Sequence, residues 1–201
     1  MTNLKVKISN GNRKMGAIAS VSLPPIKTCV KNAPCIKDCY ACKLCRIYKN
    51  TRNAYEHNLT LLEEDRNNYF KQVSNAMLTE RFFRYHVSGD IVDYDYLHRM
   101  VKTAIENPHC EILAFTKQYE YVNAYIDGNG ELPKNLHIIF SAWPGFPMEN
   151  PYNLPVSQVI FKGETPDETW LQCGGNCTEC ACRGLGCWQL NKGETVCFEK
   201  H

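Results

Sequence analysis

The chain has 201 residues, 44% of them apolar, which suits a single domain with a real core. A formal net charge of +2 excludes a strongly electrostatic nucleic-acid or membrane-surface binder. No stretch approaches the roughly 20 apolar residues of a membrane span. The start Met-Thr-Asn-Leu-Lys has no apolar run of the secretory kind, so the expected compartment is the cytosol, where thiols stay reduced.

In chain order, residues 1–28 read as irregular or strand-like up to Pro24-Pro25, and a cysteine-rich loop follows over residues 29–45. From about Lys43 to Leu78 good helix formers run without Pro or Gly, which predicts helix. A break is expected near Asn58-Leu59-Thr60, with Thr60 and Glu63 as a capping box. Phe82 to Val87 reads as a strand that exits through Ser88-Gly89-Asp90. Asp93 is placed to cap a helix running to about Glu106, stopped by Asn107-Pro108. Glu111 to Thr116 is a short apolar strand, and Lys117 to Ile126 a helix closed by Asp127-Gly128-Asn129-Gly130. Leu136 to Ala142 has the composition of a buried strand, Trp143 to Pro155 is a loop, and Val156 to Phe161 reads as the last strand.

Strands separated by helices of this length imply βαβ units and a parallel sheet. Four or five strands after the first cysteines, and one before them, are too few for an eight-fold barrel. The expected class is α/β, a partial or open (β/α) barrel over residues 1–165, with a cysteine-rich, metal-binding C-terminal segment over residues 166–201.

Eleven of the twelve cysteines fall in two groups: Cys29, Cys35, Cys39, Cys42 and Cys45, then Cys173, Cys177, Cys180, Cys182, Cys187 and Cys197. Each group contains C-x3-C-x2-C, as Cys35, Cys39, Cys42 and as Cys173, Cys177, Cys180. Such spacing converges several thiolates on one point, which suits a metal or iron–sulfur cluster better than disulfides. For the first group the reading is a [4Fe–4S] cluster on three of Cys29, Cys35, Cys39 and Cys42, with an iron left open for a ligand. The alternative is a closed zinc site, for instance on Cys35, Cys39, Cys42 and Cys45. For the second, Cys173, Cys177, Cys180 and Cys187 offer four ligands among glycines at 174, 175, 184 and 186. An auxiliary cluster, a structural cluster or zinc, and one centre shared between both ends all remain open.

Ser88, Gly89 and Asp90 lie where α/β folds bind ligands, at the carboxyl end of a strand. Arg84 and His86, two apart on that strand, are expected on one face. If that face is the interior, the buried charge needs a partner, for which a carboxylate ligand is one candidate; the alternative is an outward-facing pair under a helix. Thr116, Lys117 and Ser141, at the ends of other strands, are candidates to line the same mouth. Lys43, Arg46, Lys49 and Arg52 form a basic stripe best read as a solvated helix face. Tyr94, Tyr96, Tyr119, Tyr121 and Tyr125 read as packing residues and Cys110 as a structural thiol. His98, His109, His137 and His201 show no ligand pairing.

A cysteine triad in a loop, then a helix, then parallel βα units resembles the radical S-adenosylmethionine (SAM) enzymes. That resemblance implies a [4Fe–4S] cluster whose open iron chelates SAM and whose electron cleaves the sulfonium to a deoxyadenosyl radical. It also implies that Ser88-Gly89-Asp90 contacts the cofactor's polar groups. Ala41, before Cys42, departs from the aromatic residue usual at that place, and a register on Cys29, Cys35 and Cys39 with Tyr40 next remains open. More closely, the chain resembles the phage-associated "gene product 88" family of small proteins. The resemblance rests on Cys39-Tyr40-Ala41, Phe83-Arg84 through Ser88-Gly89-Asp90, Phe115-Thr116-Lys117, Cys177-Thr178-Glu179-Cys180 and Cys187-Trp188. The expected function is therefore a small radical-SAM-like iron–sulfur protein of a phage or host cytosol. The rival is a non-enzymatic iron–sulfur or zinc protein with a structural, redox-sensing, partner-binding or nucleic-acid-binding role. Neither the catalytic residue nor the substrate is legible.

Overall fold

The computed structural model describes residues 4–200. Met1, Thr2 and Asn3, at the start of the segment read as irregular, and His201 lie outside the described residues. The strands are Ile8–Ser9 (β1), Ala19–Val21 (β2), Phe82–Tyr85 (β3), Glu111–Thr116 (β4), Leu136–Ala142 (β5), Val156–Ile160 (β6), Leu171–Gln172 (β7) and Thr195–Glu199 (β8). The helices are Tyr40–Ile47 (α1), Lys49–Glu64 (α2), Arg66–Met77 (α3), Tyr94–Glu106 (α4), Tyr119–Asn129 (α5) and Cys177–Arg183 (α6).

One eight-stranded sheet holds them in the order β1-β2-β3-β4-β5-β6-β8-β7. Every pairing is parallel except β1 with β2. The fold is thus mixed α/β with a mostly parallel sheet, as the alternation of strand and helix predicts. Val156 to Phe161 is not the last strand, because β8 pairs along the whole of β6 and β7 adds to β8. β7 has only two residues, and β8, Thr-Val-Cys-Phe-Glu, carries a cysteine that reads with the metal-ligand group instead of as part of an apolar strand.

Alternation along the strands divides the core in two. Val21, Phe83, Tyr85, Ile112, Ala114, Ile138 and Phe140 face the helices and pack with Leu61, Tyr69, Val73, Leu97, Met100 and Val122. Leu113 and Ile139 face the other way and pack with Met15, Ile18, Ala181 and Trp188. Burying a large aromatic such as Trp188, 2% exposed, contributes on the order of 5 kcal/mol at about 25 cal/mol per Å2. The second cysteine segment is therefore bound to the sheet by an apolar contact of its own.

Several boundaries differ from the sequence reading. The first cysteines do not all lie in a loop: Pro34–Asp38 forms a 3-10 turn, and Cys42 and Cys45 stand on α1. The long helical stretch breaks at Tyr48 and Asp65, not near Thr60. Thr60 is inside α2, where its hydroxyl donates to the Glu56 carbonyl at 3.1 Å. Asp65 instead caps α3 by accepting from Asn68 N at 3.0 Å. The break at Tyr48 divides the basic stripe between two helices, with Lys43, Arg46, Lys49 and Arg52 all exposed. Asp93 caps α4 as expected. The next helix, α5, starts two residues late, because the Lys117 and Gln118 amides bond Asp90 and Thr116 side chains. It also runs through Gly128 to Asn129, and Gly130 at φ +83° ends it.

Candidate functional site

The first cysteine group lies between β2 and α1, against the exit of β3. The Leu23 amide donates to the Ser88 carbonyl at 3.0 Å, and the Val87 amide to Ser22 Oγ at 3.1 Å. Gly89 explains its own identity: at φ +85°, a Cβ would stand 2.6 Å from Thr28 Oγ1 and 2.8 Å from Leu23 Cβ. The turn thus presses on the loop that begins with Cys29. Tyr40, next to Cys39, closes the other side by donating its hydroxyl to the Val87 carbonyl.

Asp90 is buried and ties two strand ends together. Its Oδ1 accepts from Thr116 Oγ1 at 2.6 Å and from Ile91 N at 2.7 Å, and its Oδ2 from Lys117 N at 2.9 Å. Burial raises its pKa, and the Thr116 and Lys117 donors pull it back. Lys117 Nζ donates to Ser141 Oγ at 2.6 Å and lies 5.8 Å over the Trp143 ring. Tyr119 donates its hydroxyl to the Ser141 carbonyl at 2.6 Å. Cys29, Cys35, Asp90, Thr116, Lys117 and Ser141 thus meet at the carboxyl ends of β3, β4 and β5. Ser88 Oγ, buried in the same turn, has no partner.

The sulfurs of this group act on one another. Burial pushes the Cys29 thiol up to about 12, with Asp90, Cys39 and Cys35 adding to the rise. Burial also raises Cys35, opposed by Lys117 and reinforced by Cys39. Cys42 is pushed up to about 11 by burial and by its hydrogen bond to Cys39, and Cys45 is raised by burial and Cys39. Cys39 is the member common to every one of these shifts, which fits its place in both sequence registers.

The second group lies over the sheet face opposite the helices. Cys177 and Thr178 amides donate to the Lys14 and Met15 carbonyls at 3.1 and 3.2 Å. Thr178 Oγ1 accepts from Ala17 N at 2.9 Å and occupies the space a Cβ on Gly16 would need. Asn176 caps α6 by accepting from Glu179 N at 3.1 Å. Gly186 at φ +66° brings the backbone so near Cys180 Sγ that a Cβ would stand 3.2 Å from it. Burial raises Cys180, with Cys173 and Cys177 adding to it. Burial pushes Cys187 up to about 12, again with Cys173 and Cys177, while the Arg84 charge opposes the rise. Cys197, on β8, is raised by burial and by Cys173.

Arg84 and His86 do not share a face. The strand ends at Tyr85, and His86 takes φ +57°, which breaks the alternation. His86 lies among the helices with Nε2 2.9 Å from Tyr96 Oη, and burial lowers its pKa to about 3. Arg84 points the other way, with its guanidinium 4.8 Å over the Phe115 ring and Nη1 3.9 Å from Cys177 Sγ. The structure therefore groups Arg84 with the second cysteines and not with the Asp90–Lys117 cluster. The anchoring of Cys177 and Thr178 on residues 14–17 left only Gly16 as a trace in the sequence. Cys110 is buried, with burial and then Glu80 and Glu111 pushing it to about 12. His137 does have a partner, Glu111 Oε2 at 2.7 Å.

All twelve cysteines are free thiols. No group of three or more His, Cys, Asp or Glu among the described residues is placed to hold a metal ion as it stands. The chemistry of the donor set nonetheless fits one. Burial first, and the charge of neighbouring sulfurs second, disfavour thiolates here, and a bound cation offsets both. No helix among the described residues is long and apolar enough to cross a membrane.

Fold and site together define a mixed α/β protein with two thiol-rich centres, one at the strand ends and one on the sheet face. The chain matches the Gene product 88 family over residues 2–193 and belongs to it. No curated protein and no solved structure matches the chain.

Proposed function

We propose that the chain is an iron–sulfur protein of the radical SAM kind. In this reading three of Cys29, Cys35, Cys39 and Cys42 hold a [4Fe–4S] cluster with one open iron, and SAM binds beside it. The observation that carries the reading is the meeting of this thiol group with Asp90, Lys117 and Ser141 at the carboxyl ends of parallel strands. We also take the parallel strands to curve as a partial barrel around the face that bears Lys117 and Arg84, and the protein to act in a phage-infected cytosol.

A bound cluster supplies the one-electron reduction of the cofactor's sulfonium. The chain's own residues do the rest. Ser88 Oγ, buried and unpartnered, is free to bond a polar group of the cofactor. Asp90 acts through others: it fixes Thr116 and the Lys117 backbone, and so aims the Lys117 ammonium. Lys117 and Ser141 offer a cation and a hydroxyl to a carboxylate. Gly89 lets the turn press against the cysteine loop at Thr28 and Leu23. The second group, on Cys173, Cys177, Cys180 and Cys187, holds an auxiliary cluster.

The test is iron, zinc and acid-labile sulfide per chain on protein purified without oxygen, followed by titration with SAM. Roughly four irons and four sulfides, or about twice that for two clusters, are expected. SAM should then perturb the spectrum of the reduced protein. An intact cluster blind to SAM would defeat the enzyme reading, and zinc without iron would defeat both. One observation favours a rival in which the metal is structural: the second cysteines close the apolar cluster around Trp188, as a zinc staple would. Zinc at that group alone, with iron at the first, is its signature.

A further inference from the structure

Ser20 and Arg84 are aligned partners on β2 and β3, so their side chains leave the sheet on the same face. That face lies under residues 176–188, which residues 14–17 anchor by four hydrogen bonds. Ser20 is 1% exposed, and its Oγ is buried without a hydrogen-bond partner. Arg84 Nε is likewise buried without a partner. None of the ion pairs among the described residues includes Arg84, whose guanidinium Nη1 lies 3.9 Å from Cys177 Sγ. A half-buried cation with no anion, beside a buried hydroxyl with no acceptor, is costly unless something negative and rich in lone pairs lies above it. Thiols are weak acceptors. Four thiolates on a metal centre are both negative and able to accept.

We propose that Arg84, with Ser20 beside it, is a hydrogen-bond donor and counter-charge to a redox-active centre held by Cys173, Cys177, Cys180 and Cys187. This rests on the reading of that group as an iron–sulfur site and adds a role: the centre carries electrons, and Arg84 sets its reduction potential. Reduction adds one electron from an external donor, dithionite in the assay, and makes the centre more negative by one charge. A fixed cation favours that state, so Arg84 raises the potential. Its other neighbour fits the part, since Phe115 holds the guanidinium plane in place.

The experiment is an EPR-monitored redox titration of the whole chain, with iron and sulfide measured on every sample. Arg84→Met keeps the contact with Phe115 and removes the charge. It is expected to retain iron and lower the second centre's reduction equilibrium at least tenfold, 59 mV for a one-electron couple. Arg84→Lys should recover most of that loss, and Ser20→Ala should shift the potential the same way by less. An unchanged potential in iron-replete Arg84→Met overturns the proposal, as does a Lys variant no closer to wild type than Met. If Arg84→Met does not fold, Ser20→Ala decides, and no shift there removes the donor role. Failure of the underlying reading looks different: Cys180→Ser would then lose no iron or sulfide.

Discussion

The two cysteine groups share a spacing and differ in what holds them. The first is set by polar and backbone contacts: the Gly89 turn, the Tyr40 hydroxyl and the Asp90 clamp. Its helix α1 leaves Tyr40, Leu44 and Ile47 exposed, as is Tyr48 just past its end. The second adds burial to its hydrogen bonds: Ala181 and Trp188 pack on Leu113 and Ile139, while residues 14–17 bond Cys177 and Thr178. Substitutions near the first should therefore disturb chemistry more than folding, and those near the second should disturb both.

The strongest way to break the comparison is Trp188→Ala. It empties a buried aromatic site between the cysteine segment and the sheet, where Trp188 meets the Phe82 ring edge-on at 5.1 Å. A loss of about 3–5 kcal/mol is expected in chemical denaturation of the metal-free protein. A loss under 1 kcal/mol would mean that the segment is not held by this contact. Gly89→Ala probes the first group. Its Cβ would collide with Thr28 and Leu23 in a positive-φ conformation, so roughly 1–3 kcal/mol should go, with reduced metal loading at the first group alone. Equal loss of metal at both groups would show that the groups are not separable.

How far the sequence foretold this arrangement follows from where the information is local. The Asp93 cap, the Asn107-Pro108 stop and the apolar strands β4 and β5 are written in neighbouring residues, and the α/β class followed from them. The break at Asp65 was missed because Thr60-x-x-Glu63 imitates a capping box whose hydroxyl instead bonds back within the helix. The pairing of Arg84 with His86 failed because strand alternation holds only to Tyr85. A positive φ at His86 cannot be read from a histidine. The convergence of Lys117, Ser141 and Asp90 was legible in part, since all three lie at or just beyond the carboxyl ends of strands. The partnership of Arg84 with Cys177 spans 93 residues and depends on a β6-to-β8 crossover that no local pattern announces.

His86 sharpens the comparison between the two faces of β3, because it is the neutral, helix-facing counterpart of Arg84. Burial lowers its pKa from 6.5 to about 3, so it must stay unprotonated in the folded state. A depressed histidine contributes stability that is present above the unfolded pKa and lost as pH falls. The loss should begin near pH 6.5 and continue to about pH 3, at about 1.4 kcal/mol per pH unit. His86→Asn tolerates the same positive φ and removes the titration. Between about pH 6.5 and pH 5, above the carboxylate range, its stability should be nearly flat where that of the wild type slopes. A parallel slope in both would place the acid sensitivity elsewhere.

Cys39→Ala is expected to have the smallest effect on folding and the sharpest effect on chemistry. Cys39 is half-buried on the approach to α1, touches no part of the Trp188 cluster, and acts on four other thiols of its group. Metal-free Cys39→Ala should unfold within about 1 kcal/mol of the wild type. Iron at the first group should be lost whichever register the ligands follow, while the second group keeps its own. Cys177→Ala gives the contrast. It removes the sulfur 3.9 Å from the Arg84 guanidinium and loosens a segment packed on the sheet, so metal loss there should come with a measurable fall in stability. If instead Cys39→Ala emptied both groups together, the sulfurs would be ligands of one shared centre. The chain's two ends would then be joined through metal, and the separation of a chemical group from a structural one would fail.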